Sequence, residues 1–286
     1  MTSWGLARRI EESYARQLMR LTQYIAPRLE GVDSPDEIIR ILKAVSKSPE
    51  FHAYSVALAQ RMAGEVNKGV NQNWRRAAAL ATHEKGQVIR QALLRELNST
   101  GRGRVIEDII TRNAALISSI PDQFGREIAA EMARDGMLTG IRATEVAGRI
   151  KAKFPDLTKS RARLIARTEV SKAQTALTQA RAQDLGLNWY TWRTSEDERV
   201  RPSHQLMEGV LVNWNDPPNP EALARAAGVY DGPDYGNYHA GNIFNCRCYP
   251  EPVISFDDID FPADIHFNGQ FRHVGRREFM SGFALI

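Results

Sequence analysis

RLIARTEVSKAQTALTQARAQDLGLNWYTWRTSEDERVRPSHQLMEGV, Arg163–Val210, followed after a loop by NIFNCRCYPEP, Asn242–Pro252, is the part of the chain around which the rest is read. Its first half has the marks of a helix. Thr158 stands where a cap belongs, alanine is abundant, and Gly186 sits where a helix C-terminus favours glycine. Leu164, Ala166, Val170, Ala173 and Leu177 are expected on its buried face. After Gly186 the period changes: residues 187–194 are rich in aromatic and β-branched side chains, as strands are. Ser195–Glu198 turns the chain, and Pro202 should open a short helical turn that carries His204. Residues 209–212 and 246–254 read as two further strands, with a short helix at 221–227 in a segment rich in Gly and Pro.

Within this stretch the order Ala166-Arg167-Thr168-Glu169, Trp192-Arg193-Thr194, Asp197 with Arg199, Val200, Arg201 and His204, Gly209, and Asn245-Cys246-Arg247-Cys248 is specific as a set. It resembles the phage head morphogenesis family, the Mu F-like minor head proteins of tailed bacteriophages, and covers roughly a third of the chain. One departure stands out: some members carry His-Pro directly before Asn-Cys-Arg-Cys, where this chain has Ile243-Phe244 and its nearest histidine is His239. The resemblance implies a minor capsid protein that acts in procapsid assembly. Its implied partners are the portal protein, the major capsid or scaffolding protein and viral DNA, without a membrane during assembly. The implied location is the virion head, after a phase in the host cytoplasm.

Two chemical readings attach to the stretch. His204, Cys246 and Cys248, with Asp197 or His239 as a fourth ligand, form a nitrogen and sulfur set that suits zinc, the one cofactor the pattern suggests. Against it, the Cys-x-Cys spacing is tighter than the usual Cys-x₂-Cys of zinc sites. Otherwise Cys246 and Cys248 are small buried hydrophobes and His204 is held by Asp197 or the backbone. The second reading makes Asp197, Arg199, Arg201, His204 and Glu208 a hydrolytic set, and hence the chain a metal-dependent DNA-binding or nuclease module. No phosphate loop, His-Glu-x-x-His helix or Gly-x-Ser-x-Gly elbow accompanies them, so a non-enzymatic protein is expected. Arg167 and Glu169, two apart on a helix, point to different sides; a buried salt bridge to the strands is expected there. Arg199, Arg201 and Arg247 are expected to pair with Glu169 and Asp197, and Trp192 to pack on the preceding helix. Asn245 completes the structural motif.

The residues before this stretch read as helices. Ile10, Tyr14, Leu18, Leu21 and Ile25 make a stripe that begins at Leu6 and ends near Pro27. Ser34-Pro35 and Ser48-Pro49 mark two more starts. Helices are also expected at 71–98, at 105–120 up to Pro121, at 122–134 with a stop near Gly136, and from Thr144 to Ile150, before a break at Phe154-Pro155-Asp156 and after one at 98–103. A bundle and an arm whose stripe is covered by another subunit both satisfy this pattern. Residues 255–286 hold several phenylalanines without periodicity and are read as an arm that docks on the body or on another protein. The expected fold is α+β: a helical docking region at 1–155, a Mu F-like module with one long helix and a few short strands at 156–254, and a C-terminal arm at 255–286.

Composition narrows the class. At 286 residues, 43% hydrophobic and 25% charged, the chain can bury a sizeable core. No run approaches the roughly 18 apolar residues of a membrane span, and no secretory signal is expected from MTSWGLARRIEE. A net charge of +4 with acids interspersed reads as a mixed surface rather than a basic face. The densest basic run is Lys159–Arg167. Two cysteines one residue apart make no disulfide framework and suit free thiols or metal ligands in a reducing compartment.

Overall fold

The computed structural model describes residues 8–80, 87, 88, 91, 101–134 and 143–284. By contacts these fall into two compact units, one from residues 8–64 and 107–166, the other from 65–106 and 167–286.

The first unit is helical and buries its stripe within the chain. Helix α1 (Arg8–Met19), α2 (Leu21–Ile25) and a 3-10 turn at Ala26–Leu29 hold Pro27. They bury Ile10, Tyr14, Leu18, Leu21 and Ile25, the positions that the three- and four-residue spacing selects; Leu6 lies outside the described residues. Helix α3 (Pro35–Lys47) begins at Pro35 after Ser34, whose side chain makes no cap bond. Helix α4 (Pro49–Leu80) is capped by Ser48, whose Oγ accepts the Phe51 amide at 3.2 Å. Tyr14 donates to Asn113 Oδ1 of α5 (Gly101–Arg134) at 3.1 Å, a buried polar tie inside the apolar packing.

Two expected breaks do not occur. Helix α4 continues to Leu80, as the unbroken helical pattern indicates, but α5 passes through Pro121. Helix α6 (Ala143–Asp184) passes through the expected stop at 154–156 and has residue 158 in its interior. A proline inside a helix costs about 3 kcal/mol locally. In helices of more than thirty residues, neighbouring turns with strong helix formers carry the fold across it. Most of 81–100 and the stop near Gly136 lie outside the described residues; Leu80 and Val88 are exposed. On α6, Ala166, Val170, Ala173 and Leu177 are buried as expected, but Leu164 is exposed, two residues off that stripe.

The second unit contains a five-stranded sheet of order β3-β1-β2-β4-β5, from β1 (Trp189–Arg193), β2 (Leu211–Asn213), β3 (Tyr249–Pro252), β4 (Ala263–Phe267) and β5 (Gln270–Val274). Just past α6, Gly186 takes φ 69°, and the Leu187 amide returns to the Ala182 carbonyl at 2.8 Å, which swings the chain into β1. Pro250 and Pro252 are tolerated because β3 is an edge strand. Strand β4 joins β2 in parallel, pairing Ile265 with Leu211.

The C-terminal segment is therefore part of the body. Its two strands extend the sheet, and α9 (Arg276–Gly282) packs Phe279 and Phe283 with Trp189, Leu211, Val253, Ile265 and Val274 in one core. The Trp189 indole donates to the Phe283 carbonyl at 3.1 Å. The absence of periodicity reflects short elements, each too brief to repeat a pattern. The architecture is α+β, as read from the sequence.

Candidate functional site

Strand β1 is buried on both faces because its alternate residues serve two cores. Trp189 faces the C-terminal phenylalanines. Tyr190 and Trp192 face a second cluster made with Trp214, His204, Tyr238 and His239. Trp192 meets the His204 ring edge-on at 5.7 Å and the Tyr238 ring at 6.2 Å.

His204 sits on α7 (Pro202–Gln205), opened by Pro202 as the sequence indicates, and is fully buried. Its Nε2 lies 2.9 Å from the Tyr238 hydroxyl. Tyr238 stands 2.7 and 2.8 Å from the two oxygens of Glu221, at the start of α8 (Pro220–Ala226), and Ser203 Oγ reaches the same carboxylate at 3.1 Å. A carboxylate only accepts, so the Tyr238 proton goes to Glu221 and its oxygen lone pair receives His204 Nε2–H. This leaves the Nδ1 lone pair facing two sulfurs, Cys248 Sγ at 3.4 Å and Cys246 Sγ at 3.6 Å. Burial, and then the bond to Glu221, push the Tyr238 hydroxyl pKa up, which keeps the proton on Tyr238.

Both cysteines lie in a turn that precedes the edge strand β3. Asn245 takes a left-handed conformation, φ 55°, and the turn brings the Cys248 amide to Cys246 Sγ at 3.3 Å. The strand alternation expected across 246–254 starts only at Tyr249. Interaction with the Cys248 thiol, against burial, pulls the Cys246 pKa down. The same interaction, with burial, pushes the Cys248 thiol up.

The residues that mark the sequence motif hold this turn. Arg167 of α6 donates to Asn245 Oδ1 at 2.6 Å, and the Asn245 amide donates to Thr168 Oγ1 at 2.9 Å. Arg201 donates to the Phe244 carbonyl at 3.0 Å. Asp197 closes its own turn on the Arg199 amide at 3.0 Å and receives Arg247 at 2.8 Å and Arg199 at 3.2 Å. Partial burial opposes charge on Asp197, but the Arg199 amide and the Arg199 and Arg247 guanidiniums outweigh it and lower its pKa. Thr175 of α6 donates to the Ala240 carbonyl at 2.6 Å. Gly241 lies so close that an added Cβ would stand 2.7 Å from Thr175 Oγ1 and 2.8 Å from the Cys248 carbonyl. Glu208 binds the end of β1 through the Thr194 amide and hydroxyl at 2.6 and 2.7 Å.

Several expectations change here. Arg167 reaches Asn245, while Glu169 meets Lys172 at 3.7 Å, because two residues of helix turn them to different sides. Arg201 takes a carbonyl where an acid was expected. Among the described residues, His204, Cys246 and Cys248 alone form a cluster of metal-ligand type, with ligand atoms within 4.8 Å of one another. Asp197 lines the adjoining cleft but is engaged by arginines. His239 bonds Tyr190 at 3.2 Å through Nδ1, and burial lowers its pKa to about 4. The cleft, about 150 Å³, is lined by Arg167, Arg199, Arg201, Arg247 and Asp197 beside the cluster. Tyr238 and Glu221 escaped the sequence reading. Glu221 looks like an ordinary first-turn acid, and nothing local announces that its side chain is wholly buried.

Fold and site together define a class: a small α+β module in which one long helix and an edge strand hold a Cys-x-Cys turn against a buried histidine. Residues 127–250 match the family model described as Phage Mu protein F like protein, so this segment is similar to that family. A Haemophilus influenzae protein, described as uncharacterized, is 30% identical over 224 residues, which are 77% of this chain and 44% of that relative. The chain thus spans less than half of the relative's length. No solved structure matches the chain. No helix among the described residues is long and apolar enough to cross a membrane.

Proposed function

We propose that this chain is a minor head protein that acts in procapsid assembly of a tailed phage or prophage. Its helical region docks on the portal vertex or on coat or scaffolding subunits, and its Mu F-like module acts beside the viral DNA, influencing packaging or ejection. The observation that carries this reading is that the matched segment, 127–250, contains the whole clasp: Arg167, Thr168, Asp197, Arg201, His204, Asn245, Cys246, Arg247 and Cys248. The geometry supports a structural use of these residues. The four arginines of the cleft are each turned to a protein acceptor, Asn245, Asp197 or the Phe244 carbonyl, which makes them ties within the fold.

Tagged protein is recovered from a lysate of the producing phage or induced lysogen, treated with nuclease, and the retained proteins are identified by mass spectrometry. Portal and coat or scaffolding proteins should be retained. Loss of all of them, with DNA held in the untreated control, would overturn the assembly reading in favour of a metal-dependent DNA-binding or nuclease module. The arginine-lined cleft beside the His-Cys-Cys cluster favours that second reading. It requires metal-dependent nicking that disappears in a folded His204→Ala variant, whereas steep salt dependence of DNA binding alone signals phosphate contact without catalysis.

A further inference from the structure

We propose that His204 Nδ1, Cys246 Sγ and Cys248 Sγ form a zinc site whose fourth position opens to the arginine-lined cleft and is taken there by solvent. Zinc bound tetrahedrally at about 2.3 Å from sulfur and about 2.0–2.1 Å from nitrogen places those atoms about 3.6 Å apart. The two nitrogen to sulfur distances are 3.4 and 3.6 Å, so an ion fits between donors already in place. A borderline-soft ion that accepts one imidazole and two thiolates matches this donor set.

A second observation points the same way. Metal-bound imidazoles characteristically give their other N–H to a fixed acceptor, which sets the tautomer and the ring plane. His204 has such an arrangement, buried and complete: Nε2 on Tyr238 and Tyr238 on Glu221. Burying a carboxylate is costly unless its oxygens are bonded, and the bonds to Glu221 from Tyr238 and Ser203 turn that carboxylate into an anchor for His204. The left-handed turn at Asn245, pinned by Arg167 and Thr168, aims both sulfurs at one point. Asp197, the nearest acid of the cleft, is engaged by two arginines, which leaves the fourth position to solvent. On binding, each thiol that carries a proton releases it to solvent, both sulfurs and Nδ1 donate lone pairs to the ion, and no redox partner is involved.

The same distances also suit S–H···N hydrogen bonds, and cobalt separates the two arrangements. Full-length protein stripped with chelator is titrated with Co²⁺ and then with Zn²⁺. One equivalent of Co²⁺ should give a near-ultraviolet thiolate-to-cobalt charge-transfer band and intense visible bands of a four-coordinate ion, both abolished by one equivalent of Zn²⁺. Tyr238→Phe, which leaves all three ligands, should weaken zinc binding in a chelator competition by about 10–100-fold. The Cys246→Ser, Cys248→Ser double variant should lose the charge-transfer band. Absence of saturable Co²⁺ binding to the wild type, or a cobalt spectrum without the thiolate band, overturns the site even if the double variant does not fold. Zinc affinity unchanged by Tyr238→Phe overturns the assignment of Nδ1 as ligand.

Discussion

Replacing Phe279 by Ala tests whether the C-terminal residues belong to the fold. Phe279 is fully buried, with the Trp189, Phe256 and Phe261 rings at 5.2, 5.0 and 5.4 Å. A buried aromatic side chain removes at least about 150 Å² from water, worth about 4 kcal/mol at 25 cal/mol per Å². Compact denatured chains already bury part of that area, which brings the loss to about 3 kcal/mol. Large-to-small core changes of this type cost about 3–5 kcal/mol, since the hole closes only in part. The expected loss is thus about 3–4 kcal/mol out of the roughly 5–15 that hold a domain folded. Urea unfolding followed by tryptophan fluorescence reads it directly. With a slope of about 2 kcal/mol per molar, the midpoint should fall by about 1.5–2 M. The neighbouring Met280 is about half exposed, at 45%, and Met280→Ala should cost far less than Phe279→Ala, within about 1 kcal/mol of wild type. If Phe279→Ala also stays within that margin, residues 255–286 are peripheral and the account of the sheet core is wrong.

Other substitutions probe the clasp and its surroundings. Gly241→Ala forces a Cβ at φ 82° into Thr175 Oγ1, Ser171 Oγ and the Cys248 carbonyl; strain plus overpacking should cost about 2–4 kcal/mol in the same unfolding assay. At Asn245, also left-handed, Ala and Gly both lose the Arg167 bond, so Asn245→Ala should be less stable than Asn245→Gly by about 1 kcal/mol, and equal midpoints would contradict the turn geometry. His239 should make stability depend on acid. Its folded pKa, about 4, lies below the unfolded value of 6.5, so the unfolded chain binds the extra proton between these values. Stability is then fully present above pH 6.5 and declines as pH falls toward 4, by up to about 3 kcal/mol. His239→Gln should flatten that part of the profile measured by urea unfolding at a series of pH values. A profile identical to wild type would show that burial of His239 does not shift its titration.

The motif residues are legible as a set in the sequence alone. Arg167, Thr168, Asp197, His204, Asn245 and the two cysteines stand in an order that resembles the Mu F-like family, and Asp197, Asn245 and the neighbouring Pro202 and Gly209 state where the chain bends. Their partners are not legible there. Asn245 is matched to Arg167 across 78 residues and Cys246 to His204 across 42, and nothing in local pattern says which distant groups will meet.

The sequence by itself determined the helical stripes, the change of period at Gly186, the α+β class and the resemblance of its central segment to the Mu F-like family, because periodicity, caps and short motifs are properties of neighbouring residues. Tertiary structure decided the rest. It carried α5 and α6 through their prolines, since long helices absorb a local cost. It drew the C-terminal strands and helix onto the sheet, since Trp189, Leu211 and Val253 needed covering. It also brought Cys246 and Cys248 against one histidine 42 and 44 residues away, because which distant groups meet is decided by how the elements pack.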